Sequence, residues 1–201
     1  IQTRKGDLLH TMVNLKNGLH VFGSKDHGKR WNLLDVPVKP GNESKVIELA
    51  DGRLMINCRA QGKGHRWVHV SDDGGRSWDG RAERTLVDPS CNGSILRYTS
   101  VNDGYEKNRL LFCNANSFQG RKNLSVRISY DEGETWSDGR VIDAGPSAYS
   151  SLTICADGTI GVLYEPGYKE VRFASFTLED LTDGNDRLCK PYQLPGVSVP
   201  R

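Results

Sequence analysis

Cysteine and histidine build most metal sites and disulfide frameworks, so their spacing is the first indication of chemistry in this chain. The 201 residues include five cysteines and five histidines. No cysteines form a Cys-x-x-Cys pair, and the histidines show no spacing typical of metal ligands. We therefore expect no metal and no full disulfide framework. The histidines are predicted to be structural or surface residues, and three cysteines to be small buried residues on strands: Cys58, Cys113 and Cys155.

A second set of candidate residues is formed by aspartates in the repeated pattern Ser-x-Asp-x-Gly-x-x-Trp. Its three copies begin at Ser24, Ser71 and Ser129, and each follows an alternating apolar segment. The aspartate can accept hydrogen bonds from turn N–H groups, and the glycine allows a positive φ. The tryptophan is expected to fold back over the hairpin and bury its ring. The pattern therefore predicts structural rather than catalytic roles for Asp26, Asp73 and Asp131.

The elements that carry these patterns are predicted to be short antiparallel strands. A strand, an Asp-Gly turn and a second strand are indicated at residues 46–56 and again at 152–164. No long segment has helical periodicity, and one short helical turn is expected at 177–181. The three repeats start 47 and 58 residues apart, a length that suits a four-stranded blade of a β-propeller. The sequence predicts an all-β chain of three to four such blades.

Composition limits the classes of partner. The net charge is +2, and the sequence has no basic stripe interleaved with aromatic residues, so nucleic acid is not expected as a partner. No apolar run approaches the roughly 20 residues that span a bilayer. Propellers typically have four to eight blades, so the chain is either a small complete propeller or part of a larger ring.

Four further stretches, together with the repeats, resemble the sialidase (neuraminidase) family, in which the repeated pattern is called the Asp box or BNR repeat. They occur in the family's order and extend the resemblance to about Leu181. The resemblance implies a six-bladed β-propeller, of which residues 1–181 supply roughly the last two-thirds and residues 182–201 form a C-terminal tail. The four stretches are residues 42–59, 121–127, 148–152 and 161–165.

The resemblance implies an exo-α-sialidase that removes terminal sialic acid from glycoconjugates with retention and without a cofactor. Tyr149 would be the nucleophile, because a neutral phenol avoids the repulsion that a carboxylate nucleophile would meet from the substrate's carboxylate. Its ordinary pKa is about 10, so it needs a base, and Glu43 matches that position. Arg59 and Arg121 would clamp the substrate carboxylate with paired N–H donors.

Two more residues match substrate-binding positions. Glu165 would orient a further arginine, and Asn92 would line the rim of the site near the glycerol arm of the sugar. Glu48 is a weaker catalytic candidate because it lies on an alternating strand. Arg53 and Arg127 are predicted to be structural.

The sequence also departs from the pattern of the family. The family's Arg-Ile-Pro motif and its aspartate general acid have no counterpart here, so we expect an N-terminal segment of the same precursor to complete the ring through an apolar β interface. The chain alone is then expected to be inactive. A secreted, periplasmic or cell-surface location is expected, or a lysosomal one in a eukaryote.

Three alternatives stay open. A non-catalytic Asp-box propeller that binds glycans or proteins would have the same repeats, but it leaves the residues around Tyr149 unexplained. A trans-sialidase, including an intramolecular one, would share the catalytic residues. A four-bladed propeller would be complete in itself.

Overall fold

The computed structural model describes residues 1–34 and 38–193, and strands make up nearly all of their regular structure. The all-β prediction is therefore confirmed. The short helix α1 is Leu178–Leu181, as expected, and Thr177 and Asp180 form a capping box at its start. The strands are β1 Leu8–Asn14, β2 Gly18–Ser24, β3 Asn32–Leu33, β4 Ser44–Glu48, β5 Leu54–Arg59, β6 His65–Ser71, β7 Asp79–Val87, β8 Ser94–Thr99, β9 Arg109–Ala115, β10 Lys122–Ser129, β11 Arg140–Ile154, β12 Ile160–Pro166 and β13 Arg172–Phe176.

The strands form three antiparallel meanders in chain order. The first sheet is β1-β2-β3, the second is β4-β5-β6-β7, and the third is a six-stranded sheet from β8 to β13. Four-stranded blades were predicted throughout, but among the described residues the second sheet alone has that form. The reason lies in β11, whose first part pairs with β10 and whose second part pairs with β12. Register shifts along both pairings let this one strand run from one part of the sheet into the next.

The three Asp boxes are the hairpin staples that the sequence predicts. In the second copy, the Asp73 carboxylate accepts hydrogen bonds from the N–H groups of Arg76 and Ser77 at 2.9 and 3.0 Å. Gly75 N–H donates to Ser71 Oγ at 2.8 Å, and Gly75 has the expected positive φ of 92°. The same serine, aspartate and glycine contacts recur in the first and third copies.

The tryptophans of the Asp boxes depart in part from the prediction that their rings are buried. Trp31 is 46% exposed, whereas Trp78 and Trp136 are partly buried against two of the hydrophobic clusters. In the described part of the chain, the third strand of the first sheet has two residues, so less of the fold covers the ring of Trp31.

The hydrophobic core lies between successive sheets and within the last one. The strand that opens each sheet packs beside the opening strand of the next sheet, so β4 contacts both β1 and β8. Apolar side chains fill each of these junctions, which holds the sheets side by side. Leu9, Val21 and Ile56 belong to one hydrophobic cluster at the first junction, and Met55 and Leu110 belong to one at the second.

The cysteine predictions are confirmed at two positions and wrong at the third. Cys58 on β5 and Cys113 on β9 are fully buried, and all five cysteines are free thiols. Cys155 is only partly buried and follows the end of β11, where its N–H donates to Thr159 O across the Asp157-Gly158 turn. Among the histidines, His69 is buried, and its Nε2 lies 2.8 Å from Pro40 O, which fits a structural role.

The segment from residue 182 to residue 193 packs on the third sheet. Asp186 forms an ion pair with the fully buried Arg109 on β9, with an Nε–Oδ2 distance of 2.7 Å. Tyr130 Oη and Lys107 Nζ also donate to Asp186. No helix among the described residues has the length and apolar character needed to cross a membrane.

Candidate active site

Strand pairing brings Glu43 and Arg59 together. Ser44 at the start of β4 lies opposite Cys58 near the end of β5, so the next residues outward are Glu43 and Arg59. Arg59 N–H donates to Glu43 O at 2.9 Å, which extends the ladder by one more bond. Arg59 Nη1 then donates to Glu43 Oε2 at 3.0 Å. The two side chains therefore form one ion pair at the edge of the second sheet.

Arg121 and Tyr149 reach the same region from the third sheet. Arg121 comes directly before β10, and its carbonyl oxygen accepts a hydrogen bond from Ser147 N–H on β11 at 2.8 Å. Tyr149 lies in the register shift between Ser147 and Ser150. An extra residue of this kind re-aims a side chain out of the regular alternation, and such irregularities are frequent next to active sites.

The side chains of Tyr149, Glu43 and both arginines meet in one cluster. Tyr149 Oη donates a hydrogen bond to Glu43 Oε1, and Arg121 Cζ lies 5.5 Å from the centre of the Tyr149 ring. The hydrogen bond to Glu43, burial and the negative charge of Glu43 raise the pKa of Tyr149, while Arg59 and Arg121 oppose that rise. The arrangement is that of a neutral phenol held by a carboxylate between two cations.

Glu165 and Asn92 border this cluster. Tyr164 on β12 pairs with Ser150 on β11, which puts Glu165 beside Tyr149, and Tyr149 N–H donates to Glu165 Oε2 at 3.3 Å. Asn92 lies just before β8 and lines a cavity of about 380 Å³ together with Glu43. The structure thus brings all six predicted site residues to one edge of the sheets.

Two further residues of this edge were not predicted. Gln61 Oε1 accepts from Arg59 Nε at 3.2 Å and from Arg59 Nη2 at 2.7 Å. Ser90 accepts at its carbonyl oxygen from Arg121 Nη2 at 3.2 Å and at its Oγ from Gly62 N–H at 2.8 Å. Both lie in irregular segments without a repeated pattern, so the sequence offers no signal for them beyond the proximity of Gln61 to Arg59.

The residues set aside as structural or weaker candidates lie elsewhere. Arg53 forms an exposed ion pair with Asp51, and Arg127 is buried on β10. Glu48 lies at the other end of β4 from Glu43 and accepts a hydrogen bond from Arg4 N–H at 2.7 Å. None of the three contacts the Tyr149 cluster.

Comparison with known proteins identifies the family. The family model for the BNR repeat-like domain matches residues 1–162. The sialidase of Micromonospora viridifaciens is 36% identical over 196 residues, which cover 94% of this chain and 30% of that protein. The chain therefore spans about a third of the length of this relative.

Solved structures agree with the sequence match. The Hadza microbial sialidase Hz136 superimposes with a TM-score of 0.79 at 30% identity, over 90% of this chain and 37% of that one. The leech intramolecular trans-sialidase gives a TM-score of 0.75 at 24% identity, over 90% of this chain and 31% of that one, and this likeness concerns the fold. The chain belongs to the BNR repeat-like family, and its relatives in sequence and structure are sialidases.

Proposed function

We propose that the protein carrying this chain is an exo-α-sialidase that hydrolyses terminal sialic acid from glycoconjugates with retention of configuration. Tyr149 is the nucleophile and Glu43 its base. Arg59 and Arg121 bind the substrate carboxylate, Asn92 lines the rim near the glycerol arm, and Glu165 orients an arginine from outside this chain. No cofactor takes part.

The single observation that carries this proposal is the hydrogen bond from Tyr149 Oη to Glu43 between two arginines. A tyrosine is a weak nucleophile unless a base takes its proton as it attacks. Paired guanidinium donors suit a carboxylate, and a phenol carries no charge to repel one. The cluster therefore combines a nucleophile, its base and an anion site that suit a sugar with a carboxylate on the anomeric carbon.

The first chemical step follows from these contacts. Tyr149 Oη forms a bond to the anomeric carbon while its proton passes to Glu43 Oε1. The bond from the anomeric carbon to the aglycone oxygen breaks, and that oxygen takes a proton from an acid outside this chain. In the second step water attacks the anomeric carbon and passes a proton to the same outside acid, which is now a base. The bond from that carbon to Tyr149 Oη breaks as Glu43 returns its proton to Tyr149 Oη, and the sugar leaves with its original configuration.

Two exposed apolar faces support the proposal that further blades complete a six-bladed ring. On the outer face of the first sheet, Met12 and Leu33 are 50% and 52% exposed. On the last sheet, Leu163 and Phe173 are paired neighbours that are 47% and 56% exposed. Exposed apolar side chains grouped on one face are typical of interaction sites. An N-terminal segment of the same precursor would cover both and supply the general acid and a third arginine.

The substrate class suggests where the protein acts. Terminal sialic acids lie on secreted and surface glycoconjugates, so we propose a secreted, periplasmic or cell-surface location, or a lysosomal one in a eukaryote. Fractionation of the source cells with an antibody against this chain tests the location.

The test of the activity is turnover of a fluorogenic α-sialoside by the complete protein and by its variants. Tyr149→Phe is expected to abolish most of kcat, and Glu43→Gln to lower it by about 10²–10⁴-fold, the usual contribution of a general base. Tyr164→Phe is the matched control, since its hydroxyl contacts Asp143 and lies outside the cluster. Full turnover by Tyr149→Phe would refute the assignment of the nucleophile.

The same assay separates the alternatives. Free sialic acid as product supports hydrolysis, and a product lighter by one water indicates intramolecular transfer. The isolated 201-residue chain is expected to be inactive. Full activity from it would refute the proposal that the general acid and the third arginine come from outside this chain. Sialoside affinity without turnover in the complete protein would favour a glycan-binding propeller.

A further inference from the structure

The contacts of Arg59 leave only part of its guanidinium free. Gln61 Oε1 accepts from Nε and from Nη2, two donors on the same edge of the planar group. Glu43 Oε2 accepts from Nη1. Among the described residues, these are the side-chain partners of Arg59. One N–H on Nη1 and one on Nη2 therefore remain to donate to a carboxylate.

The chemical type of residue 61 suits this role. A carboxylate at that position would neutralise Arg59, which already has Glu43 as a counter-ion, and would repel an incoming anion. The neutral amide oxygen of Gln61 instead holds the edge of the guanidinium without cancelling its charge. Arginine retains substantial rotamer freedom unless its head group is bound, so a fixed partner lowers the entropic cost of binding substrate.

The backbone that carries Gln61 is anchored next to the second arginine. Gly62 N–H donates to Ser90 Oγ at 2.8 Å, and Ser90 O accepts from Arg121 Nη2 at 3.2 Å. Ser90 has a φ of 60°, an uncommon conformation for a residue with a side chain. One residue thus connects the loop that orients Arg59 with the head group of Arg121.

We propose that Gln61 is a positioning residue for Arg59: its amide oxygen holds one edge of the guanidinium so that the remaining N–H groups on Nη1 and Nη2 face the substrate carboxylate. This inference rests on the proposed function, because it assigns Arg59 a carboxylate ligand. Gln61 itself does not touch the reacting atoms.

The kinetic test compares the turnover of a fluorogenic sialoside by the complete protein with and without the substitution Gln61→Ala. Loss of a hydrogen bond to a charged group typically costs enough to change affinity by roughly tenfold, so KM is expected to rise by about that factor while kcat stays the same. Gln119→Ala is the matched control, because its side chain makes no hydrogen bond among the described residues. It should leave KM unchanged.

A double-mutant cycle separates positioning from general disruption. If Gln61 acts through Arg59, Gln61→Ala should have no further effect on the affinity for an unsaturated sialic acid analogue once Arg59→Ala is present. The same analogue as its methyl ester should lose little affinity in Gln61→Ala. An unchanged KM, or an equal loss of affinity in the Arg59→Ala background, would overturn the proposal.

A measurement without substrate distinguishes failure of this inference from failure of the proposed function. With arginine-selective nitrogen-15 labelling, the Arg59 Nε–H of the unmutated enzyme should exchange slowly with water and should lose that protection in Gln61→Ala. Equal protection in both proteins would overturn the role of Gln61. A complete enzyme without sialoside turnover would refute the proposed activity, and the exchange rates would still decide whether Gln61 holds Arg59.

Discussion

The phenolic hydroxyl of Tyr149 donates a hydrogen bond to Glu43 although 106 residues separate the two along the chain. Each of the two residues is positioned by strands of a different sheet. Glu43 precedes β4, and Tyr149 lies in the irregular part of β11, so both face the same edge of the packed sheets. The contact between the proposed nucleophile and its base is therefore a product of the packing between the second and third sheets.

The first prediction concerns the titration of this pair. Glu43→Gln is expected to lower the pKa of Tyr149, because the hydrogen bond to the carboxylate is the largest cause of its raised pKa and the negative charge of Glu43 adds to it. The measurement is the ultraviolet absorbance of tyrosinate against pH, with Tyr149→Phe used to identify the signal. An equal pKa of Tyr149 in Glu43→Gln and in the unmutated protein would contradict the hydrogen bond between the two side chains.

The sign of the pH effect on stability follows from the same shift. The fold favours the neutral phenol, so this stabilisation is complete below the ordinary tyrosine pKa of about 10 and is lost as pH rises through the raised pKa. In Glu43→Gln that alkaline loss should be smaller.

The second prediction concerns the buried ion pair behind the site. Arg66 and Asp88 are both fully buried, and Arg66 also donates to Cys91 O at 2.8 Å, next to Asn92. Asp88→Ala leaves the Arg66 cation without its counter-charge and is expected to lower the free energy of unfolding by about 3–5 kcal/mol. Denaturant unfolding measures the change.

The control for the second prediction is an exposed ion pair. Arg81 and Glu134 have 42% and 62% of their side chains exposed, so Glu134→Ala should change stability by no more than about 0.5 kcal/mol. Equal losses in the two variants would show that burial does not set the strength of the Arg66–Asp88 pair.

The fold and the site differ in how much of each could be predicted. Patterns among neighbouring residues predicted the Asp-box turns, the capped helix Leu178–Leu181 and the hairpins, because these features depend on residues close in sequence. The resemblance to sialidases supplied the residues around Tyr149. Gln61 and the Arg66–Asp88 pair were missed because their partners are fixed by tertiary packing. Cys155 was misplaced because an apolar run continues past the end of its strand.

The third prediction concerns the loss of stability that low pH causes at Asp73 of the second Asp box. Hydrogen bonds from Ser77 N–H, Ser77 Oγ and Ser71 Oγ hold the pKa of Asp73 well below its usual range. The stability that the ionised Asp73 contributes to the fold is present above the ordinary aspartate pKa of about 3.9. It is lost as pH falls through the lowered pKa of Asp73. Asp73→Ala should therefore lower the Tm at neutral pH, and the difference should narrow in acid.

The neighbouring Asp72→Ala serves as the control for the third prediction, because its side chain makes no hydrogen bond among the described residues. Thermal unfolding followed by circular dichroism at several pH values gives both comparisons. A constant difference between Asp73→Ala and the unmutated protein at every pH would contradict a role for the ionised carboxylate.

The fourth prediction concerns the segment from residue 182 to residue 193. Asp186 accepts hydrogen bonds from Arg109, Tyr130 and Lys107, and Arg109 is fully buried, so this carboxylate fastens the segment to the third sheet. Asp186→Asn keeps the shape but removes the charge. Hydrogen bonds to charged groups contribute about 1.5–3 kcal/mol, so a loss of that order in the free energy of unfolding is expected.

Hydrogen exchange distinguishes local release from global unfolding in the fourth prediction. In Asp186→Asn, amides between residues 182 and 193 should lose protection more than those of β9 and β10, because this carboxylate joins the segment to Arg109, Tyr130 and Lys107 of the sheet region. Asp183→Asn is the matched control: Asp183 forms an exposed ion pair with Arg140, and its side chain is 83% exposed. If both variants exchange alike, Asp186 is not the anchor, and the apolar contacts of Tyr192 with Tyr98 hold the segment instead.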